Sequence, residues 1–239
     1  MIDTHCHLLP GVDDGPASTD EAVALARELV AQGVETVVCT PHWSSRFPTR
    51  HEDAAAAHSV LEDALRREQV PLELVLAAEL SDAVAVTRSV DEVRRRSIAS
   101  RWVIVELVER SLPLHVEMVV RRLEAAGLGT VLAHPERCKA VQDDPGALDG
   151  ARAAGALIQL VAPSLTGRAG RKVRKTAWLL ADTGRVDLVG SDAHDTGKRR
   201  CELEAAGDLV AKELGPERWS ALTREAPGRL LEGEDPYDD

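Results

Sequence analysis

Short runs rich in valine, isoleucine and leucine alternate with amphipathic stretches along nearly the whole chain, and this alternation constrains the fold more than any other feature. The first run, 1–7, precedes a helix opened by Ser18 and Glu21, which have the spacing of a capping box. Ala22, Leu25, Ala26, Leu29 and Val30 form the apolar stripe of that helix. Gly33 ends it, and the β-branched run 34–40 reads as the next strand. An alanine-rich helix to about Arg67, a strand at 72–78, a short helix at 90–96, a strand at 102–107 and a helix at 114–126 follow. Strands at 130–133, 156–161 and 186–190 come next, separated by helices at 145–154 and 171–183, and a helix at 201–214 closes the pattern. Strands that alternate with helices build a parallel sheet. Seven of them in about 190 residues fit a compact barrel better than an open sheet.

A chain of 239 residues with this pattern is expected to form one domain over 1–230, leaving 231–239 as an acidic, flexible tail that holds Tyr237, the single tyrosine. The formal charge of −11 argues against a non-specific nucleic-acid binder, which needs clustered lysine and arginine to neutralise phosphates. No run approaches the roughly 20 apolar residues of a membrane span. Met1-Ile2-Asp3-Thr4-His5 has neither the basic start nor the apolar core of a secretory leader, so a cytoplasmic location is expected. Cys6, Cys39, Cys138 and Cys201 are far apart and form no C-x-x-C pair, so they read as reduced thiols. None is followed by an arginine six positions later, which removes the C-x5-R arrangement of a cysteine-nucleophile phosphatase.

The metal-capable side chains fall in a telling place. His5 and His7 lie two apart at the end of the first strand, so the pleat points both to one side and Cys6 to the other. His42 follows the second strand, Glu79 ends the third, His134 ends the strand before Pro135, and Asp192 and His194 end the last. The carboxyl ends of parallel barrel strands share one face, where barrel active sites are built. Asp14, in the loop after the first strand, belongs to the same rim. The eight candidate ligands are therefore His5, His7, Asp14, His42, Glu79, His134, Asp192 and His194. One H-x-H pair alone is a weak signal; five of eight histidines at strand ends on one face is a strong one. His51, His58 and His115 fall on helical stretches and read as solvated or packed. Imidazole and carboxylate without thiolate suit manganese, iron or zinc. Clustered dications activate water near neutral pH and clamp the oxygens of an in-line displacement, so hydrolysis is the implied reaction. They also reverse the local sign of charge and let an acidic protein accept an anionic substrate.

The stretches 1–15 (Met-Ile-Asp-Thr-His-Cys-His-Leu-Leu-Pro-Gly-Val-Asp-Asp-Gly), Thr-Pro-His at 40–42, Ala-Ala-Glu-Leu at 77–80, Ala-His-Pro-Glu-Arg at 133–137 and Gly-Ser-Asp-Ala-His at 190–194 resemble the polymerase and histidinol phosphatase (PHP) superfamily. Within it they resemble the bacterial protein-tyrosine phosphatases that regulate capsule and exopolysaccharide production, and the likeness runs over about residues 1–230. The resemblance implies a distorted (β/α)7 TIM-like barrel with two or three divalent metals, manganese first and iron or zinc as alternatives. It places His5, His7, Glu79 and Asp192 on one metal, Glu79 and His134 on a second, and Asp14, His42 and His194 on a third, with a bridging hydroxide as nucleophile. Arg137 and Arg199 match the phosphate-binding arginines of the family, a task the planar guanidinium fork suits. The implied partners are a phosphotyrosine protein, such as a bacterial tyrosine kinase, and phosphate. Where the family supplies a further histidine to the second metal, the stretch 105–111 has none, which leaves three alternatives: Glu106 or Glu109 substitutes, a water fills the position, or the second metal is weakly held.

Three functions compete on the sequence. The first is the phosphotyrosine phosphatase, with a small-molecule enzyme such as a histidinol-phosphate phosphatase as its near relative. The second is an amidohydrolase-type barrel; many of these bridge two metals with a modified lysine, whereas the first lysine here is Lys139, so Glu79 must bridge. The third is a metal- or phosphoprotein-binding protein without catalysis. Two basic clusters, Arg168, Arg171, Lys172, Arg174 and Lys175, then Lys198, Arg199 and Arg200, follow strand ends on the expected active face and are candidates for guiding a phosphorylated substrate. Trp43 and Phe47 beside His42 offer an apolar wall for an aromatic ring, or simple packing.

Overall fold

The computed structural model describes residues 1–107 and 113–237. Its strands are β1 Ile2–Cys6, β2 Thr36–Cys39, β3 His42–Trp43, β4 Glu73–Leu76, β5 Glu79–Ser81, β6 Trp102–Glu106, β7 Gly129–Ala133, β8 Leu157–Val161 and β9 Leu188–Gly190. All pairings between them are parallel: one sheet has the order β1-β2-β4 and the other β3-β5-β6-β7-β8-β9. Two of the expected seven strands are thus each split in two. Pro41, which has no N–H to give a ladder, separates β2 from β3. Ala77 and Ala78 separate β4 from β5; the Ala77 amide still donates to Cys39, while that of Ala78 turns away to the Arg96 carbonyl. The single ring expected from the alternation therefore appears as two parallel sheets. At the carboxyl end of β1 the gap narrows: Cys6 bridges Ala193, the His7 amide donates to the Ala193 carbonyl and the Asp192 amide to the His5 carbonyl.

Strand parity sorts the core into two layers. Cys6, Val37, Cys39, Val103, Val105, Leu132, Ile158, Leu160 and Val189 pack toward the helices. Their alternates Val38, Ile104, Val131, Ala133, Leu157 and Leu188 form a smaller cluster with Trp102, Ile98 and Leu230. Residues that continue this second parity toward the strand ends include His5, Glu106 and Gln159, so the inner face turns from apolar to polar along the strands. Strands such as Leu157–Val161 are buried at every position, as parallel strands covered on both faces must be.

The helix expected after the first strand runs Thr19–Ala31, with the Ser18 hydroxyl accepting from the Glu21 amide. The Glu21 carboxylate reaches the Ala17 amide, one residue earlier than a reciprocal capping box would have it. A helix at Asp82–Thr87, capped by Ser81, was not expected from the pattern, and the expected helix 145–154 begins as a 3-10 turn, Pro145–Leu148, before Asp149–Ala153. The tail residues make defined contacts: Trp102 Nε1 donates to the Glu234 carbonyl, Arg101 to that of Gly233, and the Tyr237 hydroxyl to Asp187. Among the described residues no helix is long and apolar enough to cross a membrane.

Gly190, the last residue of β9, lies against His5 of β1. A Cβ there would stand 2.7 Å from His5 Cβ and 3.2 Å from its backbone nitrogen. Gly190→Ala is expected to lose about 1–3 kcal/mol of stability by overpacking, measured by urea unfolding. A variant as stable as the parent would mean that β1 can move away freely.

Candidate metal centre

Beyond the inner apolar cluster the strand ends converge on Glu79, whose side chain is wholly buried. Its Oε1 lies 2.8 Å from His134 Nε2; its Oε2 lies 3.5 Å from His5 Nε2, 3.3 Å from His7 Nε2 and 3.0 Å from His42 Nδ1. Asp192 Oδ1 is 3.7 Å and 3.6 Å from the same nitrogens of His5 and His7. Asp14 Oδ1 is 3.5 Å from both His42 Nε2 and His194 Nε2, and the His194 ring stacks on His7 at 3.9 Å between centroids. Four overlapping groups have donor atoms close enough to share a cation: His7, Asp14, His42 and His194; His5, Glu79 and His134; His5, His7 and Asp192; His42, Glu79 and Glu106. Each of the eight donors singled out from the sequence lies in at least one. The stand-in for the missing histidine that the geometry brings close is Glu106, the residue after Val105 on β6; Glu109 lies outside the described residues.

Second partners orient the imidazoles. His5 Nδ1 is 2.8 Å from Gln159 Oε1, and the Gln159 amide nitrogen donates to Thr4 Oγ1 at 2.7 Å, which fixes the amide so that its oxygen faces the ring. His7 Nδ1 is 2.7 Å from Asp13 Oδ2, and His194 Nδ1 is 2.9 Å from the Asp192 carbonyl. With Nδ1–H donating in all three, Nε2 presents a lone pair inward, the tautomer a metal ligand needs. Asp3 ties β1 to the far side by accepting from the His5 and Ser191 amides. Sequence reasoning missed Asp13, Gln159 and Asp3. The signal for Gln159 was a polar residue inside the otherwise apolar Leu-Ile-Gln-Leu-Val; Asp13 was hidden by its neighbour Asp14.

Two donors sit on strained backbone. His134 (φ 34°) and Asp192 (φ 53°) are left-handed non-glycine residues, a conformation that costs about 1–3 kcal/mol and persists where the surroundings enforce it. The turn lets each strand end abruptly while its last side chain aims across the centre.

The electrostatics describe a site that holds charge. Burial would push Glu79 up, but His5, His134 and His42 hold it well below the usual carboxylate range. Burial raises Asp192 as well, yet Arg137 and then His5 outweigh it and keep the group ionised. Burial lowers His7, whereas its hydrogen bond to Asp13 and the nearby Glu79 charge carry it well above the usual histidine value. Glu106 is raised by burial and then by the Glu79 charge beside it. Carboxylates crowded together in a buried site call for cations.

The two expected phosphate arginines stand at the edge of this centre, each beside a donor carboxylate. Arg137 Nη1 is 2.7 Å from Asp192 Oδ2; Arg199 Nη1 is 3.0 Å from Asp14 Oδ2, and its Nη2 donates to the Asp14 carbonyl at 2.6 Å. Both line a cavity of about 660 Å³ that opens over Asp14, His42, Glu106, His134, Asp192 and His194. Arg168, Lys198 and Arg200 also line it, whereas Arg171, Arg174 and Lys175 line a separate cleft with Trp178 and Leu209. Trp43 is not a wall of the cavity. It is 5% exposed, with the Arg96 guanidinium 3.8 Å over its ring, while Phe47 stacks on His42 at 5.2 Å.

Whether cations fit here is answered by atoms left without partners. Glu79 Oε2, Asp14 Oδ1 and His194 Nε2 are buried and accept or donate no hydrogen bond, a costly state unless another ligand completes it. All three belong to the donor groups. Nitrogen and oxygen donors without thiolate fit hard or borderline divalent ions.

Fold and site together define a parallel α/β protein with a cluster of histidines and carboxylates, close enough to share cations, at the carboxyl ends of its strands. More particularly, the chain belongs to the capsular polysaccharide synthesis family CpsB/CapC, whose pattern matches residues 1–232. It is 29% identical over 229 residues to the tyrosine-protein phosphatase YwqE of Bacillus subtilis, covering 95% of this chain and 90% of that one. It is 24% identical to the tyrosine-protein phosphatase CpsB of Streptococcus pneumoniae, covering 97% of this chain and 98% of that one. A solved structure reported with YwqE and CpsB as metal-dependent tyrosine phosphatases superposes with a TM-score of 0.89 at 28% identity, over 98% of this chain and 95% of that chain. An organophosphorus hydrolase from Deinococcus radiodurans (TM-score 0.59, 14% identity, 96% and 92% covered) and an amidohydrolase from Mycoplasma synoviae (0.58, 10%, 97% and 87%) share the fold alone.

Proposed function

We propose that this chain is a metal-dependent protein-tyrosine phosphatase, built as a distorted (β/α)7 barrel whose two sheets act as one ring. The observation that carries the reading is the set of three buried, unpartnered donor atoms, Glu79 Oε2, Asp14 Oδ1 and His194 Nε2, within overlapping donor groups. The names of the relatives YwqE and CpsB support it. His5, His7, Asp192 and Glu79 would hold one divalent ion, Glu79, His134 and Glu106 a second, and Asp14, His42 and His194 a third. Manganese is the first candidate, with iron or zinc as alternatives. Such ions supply Lewis-acid stabilisation of a phosphoryl oxygen and make water a nucleophile at neutral pH.

The protein's own groups do the rest. Arg137 and Arg199 face the cavity from opposite partners, Asp192 and Asp14, and would offer guanidinium forks to the phosphate oxygens of a bound substrate. Gln159 and Asp13 hold the His5 and His7 rings in the ligating tautomer. Burial pushes the Cys6, Cys39 and Cys201 thiols far above their ordinary value, so none of these three offers a thiolate nucleophile. The substrate of this reading is a phosphotyrosine protein in the cytoplasm, a bacterial tyrosine kinase being one such partner.

The test is direct. Protein reconstituted with manganese should hydrolyse p-nitrophenyl phosphate and a phosphotyrosine peptide, and prefer the latter to histidinol phosphate. A strong chelator should stop turnover and added manganese restore it. Turnover that survives the chelator would overturn the metal mechanism, and a preference for histidinol phosphate would overturn the substrate.

A further inference from the structure

We propose that the mouth of the cavity selects phosphotyrosine segments flanked by acidic side chains, an inference that rests on the phosphatase reading. The cavity lining carries six cations and three carboxylates. The carboxylates, Asp14, Glu106 and Asp192, all belong to the donor groups, and Arg137 and Arg199 already face two of them. The four remaining cations, Arg46, Arg168, Lys198 and Arg200, are exposed; Arg46 comes from the loop after β3, Lys198 and Arg200 from that after β9, and Arg168 from the turn after the short helix Ala162–Thr166 that follows β8. They are not scattered surface charge. Glu202, only 9% exposed, accepts from Arg168 Nε and Thr166 Oγ1 and stands 3.7 Å from Arg200 Nη2, so one buried carboxylate orients two arginines. The Arg46 guanidinium lies 4.9 Å over Phe47, whose ring stacks on His42 at the edge of the metal centre. Among the described residues neither Arg46 nor Lys198 has an ion-pair partner.

On a chain of net charge −11 this lining is a local reversal of sign, with six cations against three carboxylates, and Glu202 stands behind Arg168 and Arg200. A peptide whose phosphotyrosine reaches the donor groups must lay its flanking residues across that rim. Aspartate and glutamate there meet Arg46 and Lys198, which have no ion-pair partner among the described residues, whereas lysine and arginine are repelled. Charge complementarity of this kind raises the encounter rate and excludes the wrong partner more than it deepens affinity. It acts on the flanks, so p-nitrophenyl phosphate, which has none, cannot report it.

The experiment uses the full chain loaded with manganese and three peptides that share a central phosphotyrosine flanked by glutamate, glutamine or lysine, with p-nitrophenyl phosphate alongside. The expected order of kcat/KM is glutamate above glutamine above lysine, the differences lying in KM and shrinking as added salt screens the rim. Arg46→Glu and Lys198→Glu should each reduce the glutamate-to-lysine ratio by about two- to fivefold, the range of exposed ion pairs. Lys212→Glu, a cation outside the cavity, should leave the ratio where it was. If no phosphoester is hydrolysed, the phosphatase reading fails. If p-nitrophenyl phosphate is hydrolysed but the three peptides are equivalent, or both charge reversals leave the ratio unmoved, the inference about the rim is overturned and the reading of the site stands.

Discussion

Glu79→Gln should strip the chain of its divalent ions and cut phosphotyrosine turnover by about 10³-fold or more, the equivalent of losing several kcal/mol of Lewis-acid stabilisation. The two oxygens of Glu79 reach four imidazoles, those of His5, His7, His42 and His134, from the middle of the centre. Glutamine keeps the shape, so packing around this buried side chain should survive. What changes is chemistry: one oxygen becomes an amide nitrogen that cannot ligate, and the negative charge that balances shared cations is gone. The pair of measurements is elemental analysis of the purified variant beside its circular dichroism. Loss of metal with native secondary structure is the expected result. A variant that keeps its full metal complement would show that Glu79 is a structural partner of the histidines and not a bridge, and the assignment of two ions to it would fall.

The order of strands and the convergence of the eight histidines and carboxylates were legible because both follow from short-range rules. A period of two places His5 and His7 on one side of β1, and the rule that parallel strands point their carboxyl ends one way gathers His134, Asp192 and His194 from far along the chain. The splitting of the second and third strands was harder to see. Pro41 is visible as a break, but the interruption at Ala77–Ala78 depends on the Arg96 carbonyl reaching in from a later segment. The supporting residues were hidden for the same reason. Nothing near Gln159 in sequence says that its partner is His5, since 154 positions separate them. Glu106 was one of several stand-ins until β6 put it in register with Ala133 and Ser81, beside the residues that carry His134 and follow Glu79. The basic runs behaved similarly: helix phase decides that Arg171, Arg174 and Lys175 turn to a side cleft, while the loop holding Arg168 bends over the centre.

Arg137→Ala is expected to lower kcat on phosphotyrosine by about 10²–10³-fold, the usual effect of removing one preorganised donor to a developing anion. At neutral pH it should do so with metal content intact, because its proposed ligand is phosphate. Its contact with Asp192 Oδ2 at 2.7 Å adds a second, separable effect. Burial raises the Asp192 carboxyl and the Arg137 charge is the largest influence pulling it down, so deleting the arginine lets that carboxyl take up a proton at higher pH. A protonated Asp192 is a poorer ligand. The sign is therefore fixed: on acidification the variant should release metal at a higher pH than the parent, while near neutrality, where both carboxyls are ionised, the two should hold equal amounts. Metal content followed along a descending pH series, together with kcat at neutral pH, separates the roles. If the variant is already metal-depleted at neutral pH, Arg137 serves the metal centre through Asp192 and the phosphate role must pass to Arg199. If it keeps both metal and turnover, neither role is its own.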